Sequence, residues 1–362
     1  MATIRVFAED DVPAAAALFA RVYPEHRWNS PAAFEAYFRE MLFNNPWRDL
    51  QLPSWVAEED GRICGCYAVM PRWMLFRGRR IRVAVPCQAM VDPDRRHSLI
   101  ALQLLKACLS GPQDLTLADG ANDQARRMWI GIGGTVPLLH SLHWTRPLRP
   151  ARYVLALLDK AGRRRRLLRA ARAPCVLVDA VAARLHRNRL VSSDNGLEDQ
   201  PLDAPRMFAH LDAIAGRNGA LRPLYDEHSL GWLLEQAALK ARHGRLRARA
   251  VVERDKLLGW FIYYARAGEV NEVLQLAALD GSYERVLQHL LADAWRQGAT
   301  ALRGRVDPHH VQELSDRHCW LRREGPWTLV HSRHPDLLAA LESGAAGFSR
   351  LDGEWWLRFI GG

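Results

Sequence analysis

The sequence predicts an α/β protein of two domains, each a mixed central sheet flanked by helices. Three observations carry that reading. A chain of 362 residues is too long for one ordinary core. Its hydrophobic periodicity switches repeatedly between strand-like alternation and helical spacing. A short pattern also recurs: Val56, Glu58, Asp60 and Gly65 are matched by Val251, Glu253, Asp255 and Gly259, with one residue fewer in the second hairpin. An apolar strand then leads to Asp92-Pro93 in one copy and to Asp280-Gly281 in the other. A displacement of about 195 residues implies a duplicated domain rather than a solenoid. The expected division is a first domain over 1–150, a basic helical linker over 151–205, and a second, degenerate copy over 206–362.

Residues 3–7 alternate as a short strand. Asp10-Asp11-Val12-Pro13 then opens an alanine-rich helix, because Asp accepts an orphan amide and Pro tolerates the first turn. Phe34, Tyr37, Phe38 and Met41 fall at helical spacing within a second helix, Ser30 to Leu42. Trp55–Glu59 and Ile63–Met70 read as strands joined by Asp60-Gly61, a strong hairpin signal. Further strands are expected at Trp73–Phe76 and Arg82–Val91, then a helix from Ser98 to Leu109, a strand at Asp114–Leu117 and a helix from Asn122 to Trp129. Tyr153–Leu158 reads as strand or helix, Cys175–His186 as a helix, and the polar stretch from Val191 to Pro205 as an exposed loop. The second half repeats the theme with strands at Leu246–Glu253, Leu257–Ala265, Val270–Leu279 and Ala301–Val306, and a helix from Tyr283 to Gln297. Trp355-Trp356 alternate with polar neighbours, as an edge strand packed on a core does.

Composition bounds the function classes. With 49% hydrophobic and 25% charged residues and a mean hydropathy of −0.22, the chain reads as soluble and globular. It has no apolar run of about 18 residues to span a bilayer. Its N-terminus turns acidic at Glu9 without an apolar h-region, so no secretory signal is expected. Six cysteines sit mostly inside apolar patterns, which suits buried thiols in a reducing compartment. The expected location is cytoplasmic, with a peripheral position at the inner membrane face open. The net charge of +10 is local: ten basic residues stand against two acidic ones between Asp159 and Arg189. A general affinity for nucleic acid is therefore not expected. The run Arg163–Arg166 cannot lie on one helical face. It points to a solvated linker, an anionic membrane surface, a lipid-linked substrate, or RNA.

Three segments in order resemble the GNAT (GCN5-related N-acetyltransferase) superfamily. Ile4-Arg5 through Phe19 is similar to its first strand and helix. Trp55-Val-Ala-Glu-Glu-Asp-Gly-Arg-Ile-Cys-Gly65 is similar to its central hairpin, and Asn122 through Gly133 to its late helix. Together these span residues 3–148. The resemblance implies two GNAT-like domains, an acyl-CoA cosubstrate such as acetyl-CoA, and acyl transfer to an amine, the acceptor being a small molecule or a saccharide.

In such a fold the cofactor turn is Val91-Asp92-Pro93-Asp94-Arg95-Arg96-His97-Ser98-Leu99-Ile100-Ala101. Backbone amides at a helix start, helped by the helix dipole and an arginine, hold a pyrophosphate. Arg96 and Ala101 fit the family pattern Arg-x-x-Gly-x-Gly/Ala, and Leu99 replaces its first glycine. The implied cofactor-binding residues are Met90, Val91, Arg95, Arg96, Ser98, Leu99, Ala101, Asn122 and Trp129. Trp129 stands where the family places a tyrosine that protonates the departing thiolate, and indole cannot serve as an acid. Asp119 and Glu58 are the candidate general bases, with Glu59 a third carboxylate nearby. The second copy has Asp280-Gly281-Ser282-Tyr283-Glu284 at the same turn, so coenzyme A is expected on the first domain alone. No metal is expected: Cys64 and Cys66 share a strand face without further ligands at zinc spacing. His309-His310 with Glu313 mark a helix start, and His140 and His143 lie near the substrate end of the first domain. Two other functions remain open: an aminoacyl-transferase of the FemABX type using charged tRNA, and a non-catalytic scaffold or sensor on a degenerate GNAT fold.

Overall fold

The computed structural model describes residues 2–24, 30–96, 98–160, 171–185, 196–215 and 220–354. They fall into two compact units, and neither is a continuous stretch of chain. One comprises Met1–Ser141, Asn218–Gln236 and Gly325–Gly362; the other comprises Leu142–Arg217 and Ala237–Glu324. The expected contiguous division at 150 and 205 therefore differs from these units. The cause is strand pairing: residues 143–147 pair into the second unit's sheet, and residues 221–223 and 327–331 into the first unit's.

The first unit's sheet runs β1 (Thr3–Val6), β2 (Trp55–Glu59), β3 (Arg62–Phe76), β4 (Arg79–Val91), β5 (Leu115–Ala121) and β14 (Trp327–His331), with β8 (Leu221–Pro223) pairing β3. All neighbours are antiparallel except β4 and β5. That parallel pair needs a crossover, which α3 (Ile100–Leu109) supplies. One face of the sheet packs Tyr67, Val69 and Ala84 against Ile100, Leu104 and Leu105 of α3 and against Trp129 of α4 (Asp123–Ile130). Facing the other side are α1 (Val12–Val22) and α2 (Pro31–Leu42), held by an aromatic ladder. Within it Phe19–Phe34 centroids lie 4.6 Å apart and Phe34–Phe38 5.0 Å apart.

Two expected strands, Ile63–Met70 and Trp73–Phe76, are one continuous β3 running through Pro71. Proline lacks the donor a ladder needs. Here Pro71 lies between the stretch paired to β2, which ends at Tyr67, and the stretch paired to β8, which starts at Met74. Among the described residues no strand borders that edge at Pro71, so no ladder bond is lost there.

The second unit's sheet runs β13 (Trp320–Arg322), β6 (His143–Pro147), β12 (Ala301–Arg305), β11 (Val270–Ala278), β10 (Lys256–Ala265), β9 (Arg245–Glu253) and β7 (Glu198–Pro201). It repeats the design of the first: antiparallel hairpins, then a parallel pair, β11 and β12, bridged by the helix Tyr283–Arg296. Asp293 on that helix binds Arg247 at 2.6 Å and the Tyr263 hydroxyl at 2.6 Å, pairing a carboxylate buried to 1% exposure. Residues 198–201, expected within a loop, form the edge strand β7, and 153–158 belong to a helix, Pro150–Lys160. Edge strands are short and polar for a reason: unpaired edges invite aggregation. Trp355-Trp356 and the Arg163–Arg166 run lie outside the described residues.

The matched glycines of the internal repeat have different surroundings. A side chain at Gly65 would meet side-chain methyls of Ile100 and Leu104 at 2.8 and 2.9 Å, whereas one at Gly259 would run into the Ala277 carbonyl and lie 2.7 Å from the Ala278 backbone. Backbone cannot yield as a leucine tip can. Gly259→Ala should therefore cost about 2–3 kcal/mol of unfolding free energy in urea, and Gly65→Ala about 1 kcal/mol or less. Equal losses would show that the two hairpins are packed alike.

Candidate active site

Strands β4 and β5 are hydrogen-bonded only at their beginnings, at Val83↔Leu115 and Ala84↔Thr116. Asp114 pins this end: its backbone amide donates to the Arg82 carbonyl at 2.9 Å, and its carboxylate accepts from the Arg82 amide at 2.8 Å. Beyond Ala84 the two strands run on, to Val91 and Ala121, without pairing each other. A bulge adds to the divergence. Opposite Tyr67, β4 carries both Gln88 and Ala89, with Gln88 at φ +48°.

The turn after β4 leads to the start of α3. Asp92 braces it toward α1 through Arg21 at 3.0 Å, and Arg95 braces it toward β2 through Glu59 at 2.8 Å. The Ser98 hydroxyl donates to the Arg95 carbonyl at 2.6 Å and accepts from the Ile100 amide at 3.4 Å. The next first-turn amides, of Ala101 and Leu102, have no intrahelical acceptor available to them. Leu99 is 67% exposed, with φ −82°. It therefore stands in for the expected glycine without backbone strain, and its side chain projects away from the helix start. Arg96 is exposed and forms no ion pair with the described residues. Of the two arginines, Arg96 is the one left to meet an anion. The Met90 side chain is buried, so only its backbone faces the parted strands, while Val91 is partly open.

Several expected site residues have other work. Glu58 is bound by Arg5 at 2.7 Å on the β1–β2 pair, and Arg5 also holds Asp11 at 2.6 Å. Those bonds keep the Asp11 carboxyl below the usual range. Asn122 caps α4, its side chain accepting from the Ala125 amide at 2.8 Å. Trp129 is 1% exposed in the apolar cluster on the α3 face, with Gly134 against its ring. His140 is buried and stacks on Phe348 at 4.6 Å, whereas His143 lies on β6 in the other unit's sheet. His309 binds Asp307 at 3.0 Å, and His310 binds Glu313 at 2.9 Å while stacking on Tyr283. Cys64 and Cys66 are both buried, and no metal-holding cluster occurs among the described residues.

What meets β5 beyond its paired start comes from a distant part of the chain. Residues Ser349–Glu354 return from the far end of the chain to β5. The Glu354 carboxylate accepts from the Gly120 amide at 2.8 Å, beside Tyr67 and Cys87. The Gly353 backbone presses on the carboxylate of Asp119, leaving no room for a side chain there. Asp119 is therefore sealed inside, although it lies on the expected strand. Asp352 accepts from the Tyr225 hydroxyl and from Ser349, and its burial raises its carboxyl above the usual range. Arg72, 3.6 Å above the Trp47 ring and near Asp119, Tyr225 and Asp352, is so buried that its guanidinium falls to about 10. Tyr67 is hydrogen-bonded by the Trp129 indole, and desolvation pushes its phenol well above the ordinary value. The arrangement thus places a half-buried carboxylate and an anion-ready helix start at one parted strand pair, with the buried Tyr67 phenol on the neighbouring β3.

Residues 3–113 match the family model for an acetyltransferase (GNAT) domain. Among solved structures, the chain is similar to a GCN5-related N-acetyltransferase from Anabaena variabilis ATCC 29413, with a TM-score of 0.60 and 10% identity over 92% of this chain and 74% of that one. A probable N-acyltransferase from Enterococcus faecalis V583 gives 0.59 at 10% identity, over 92% and 73%. A GCN5-related N-acetyltransferase from Kribbella flavida gives 0.56 at 11%, over 96% and 74%. No curated protein matches the chain. At these identities the likeness is one of fold.

Because Trp129 is core, its removal should act on stability before anything else. Trp129→Ala is expected to cost about 3–5 kcal/mol, and Trp129→Phe clearly less, both read from urea denaturation. An unchanged midpoint for Trp129→Ala would place the indole in an open site instead.

Proposed function

We propose that the protein, whose residues 3–113 match the family model for an acetyltransferase (GNAT) domain, transfers an acyl group from acyl-coenzyme A to an amine within its first unit. The observation that carries the proposal is the parted β4–β5 pair, with a helix start at one end and the Glu354 carboxylate on the Gly120 amide inside it. The residues present fit coenzyme A. The α3 amides and Arg96 would take the pyrophosphate, and the unpaired edge of β4 near Ala89 to Val91 would take the amides of the pantetheine arm. Coenzyme A supplies a thioester, an acyl carbon bonded to a fair leaving group.

This chain's own groups handle the protons. Glu354 accepts the proton that the acceptor amine loses as its nitrogen bonds to the acyl carbon. Tyr67 donates a proton to sulfur as the carbon–sulfur bond breaks, the role for which Trp129 is unfit. Arg72, buried beside Tyr225, Asp352 and Asp119, offsets part of the cost of burying those carboxylates. The second unit is read as non-binding. Its helix start carries Glu284, held by Arg317 at 2.9 Å, and begins with the buried Tyr283 under His310, so a phosphate would meet a carboxylate there. A non-catalytic reading has one observation behind it, the burial of both Tyr67 and Trp129, and the turnover assay separates the two.

Arg96→Ala should weaken acyl-CoA binding about tenfold to a hundredfold, the range for hydrogen bonds to charged groups. Arg95→Ala should cost less, since Glu59 already holds that side chain. Calorimetry should give one equivalent of coenzyme A per chain. Glu354→Gln should lower kcat by about 10²–10⁴ with acyl-CoA affinity unchanged. Two equivalents, or indifference to both Arg96 and Glu354, would sink the assignment.

A further inference from the structure

In the second unit a helix is turned inside out. Arg172–Leu185 exposes Val176, Leu177, Val178 and Val181, with Leu177 at 67% and Val178 at 56%, while its one acid, Asp179, is 2% exposed. At about 100° per residue the four aliphatic side chains cover roughly 200° of the helix surface, and Asp179 lies opposite the centre of that arc. Asp179 faces inward because it caps a neighbouring helix. Its carboxylate accepts from the Ala151 amide at 2.8 Å and from the Arg152 amide at 3.3 Å, and it pairs with the Arg152 guanidinium at 2.9 Å. That neighbour, Pro150–Lys160, adds exposed Val154 and Leu157. Locking the polar residue inward fixes the aliphatic surface outward. A helix meant to face water alone would show the reverse.

We propose that this helical pair docks on an anionic lipid bilayer. The stretch of sequence joining the two helices decides the occupant: from Lys160 to Arg172 it holds seven basic residues and no acidic one, with Leu167 and Leu168 among them. Shallow aliphatic insertion together with attraction to anionic headgroups is how an interfacial helix holds to a membrane. A second copy of the chain, meeting this face across a two-fold axis, would bring two such basic stretches together, and like charges oppose that. RNA would use the arginines but gain nothing from valine and leucine, since its bases stack on aromatic rings. No described helix is long and apolar enough to cross the membrane, so the contact is peripheral.

The test is cosedimentation of the full chain with phosphatidylcholine vesicles, with and without phosphatidylglycerol. The wild type should pellet only with the anionic vesicles, and release in high salt as exposed charges are screened. A Leu177→Asp/Val178→Asp variant should lose at least tenfold in vesicle affinity while keeping its melting temperature and acyl-CoA affinity, both substitutions being at exposed positions. Replacing Arg163, Arg164, Arg165 and Arg166 with Ser should have a similar effect and serves as the independent variant if the first fails to fold. The proposal is overturned if the wild type ignores anionic vesicles at low salt. It is equally overturned if the Asp variant binds them as well as wild type, if the arginines matter only for binding to RNA homopolymers, or if light scattering shows a dimer that the Asp variant dissolves.

Discussion

A parallel strand pair that hydrogen-bonds for two positions and then separates must find other partners for the backbone groups it releases. Unpaired buried amides and carbonyls are too costly to leave alone. In the first unit this constraint shapes everything near the site. Asp114 closes the paired end, the bulge at Gln88 turns β4 away, and the Gly120 amide on β5 is met by Glu354. The opening between the strands is where backbone polarity is available to something other than backbone. A ligand with amide groups can satisfy the same demand.

The second unit solves the problem differently. Its parallel pair holds through three register positions, Val270↔Ala301 to Glu272↔Arg303, before β11 continues to Ala278 paired with β10 but not with β12. Polar groups on its bridging helix are committed to the sheet beneath: Asp293 to Arg247 and Tyr263, and His289 to Asp199 at 3.3 Å. The two sheets thus share a parted parallel pair, with the Glu354 carboxylate on the Gly120 amide in the first unit, while the bridging helix of the second unit spends its charges on β7, β9 and β10.

Much of the fold was legible because hairpins announce themselves locally. Asp60-Gly61 and the strand pattern around it need no distant information, and the start of α3 was readable from Asp92-Pro93 and the arginines that follow. Strand exchange was not legible. His143–Pro147 and Trp327–His331 alternate like any half-buried strand, and alternation says which side chains face a core without saying which sheet they join. For the same reason the polar cluster escaped notice. Trp47, Arg72, Asp119, Tyr225 and Asp352 come from five separate stretches of chain, gathered only when the last of them is laid on the sheet. The helix carrying Trp129 was legible from its own residues, but the burial of its indole against Tyr67 depends on the sheet beneath and could not be read from position alone.

The exchange of strands also sets a timetable for synthesis. β5 ends at Ala121, yet the strand that covers its edge, β14, does not begin until Trp327. At about 5–20 residues per second a ribosome needs roughly 10–40 s to make the chain in between. Throughout that interval Leu115–Ala121 is an apolar strand with one side unsatisfied, the kind of edge that other chains add to. Contacts of such long sequence separation also delay the final step of folding. The first unit, although it contains the N-terminus, is therefore the last to close, and its exposure to chaperones and to aggregation is set by the time spent building the unit threaded through it.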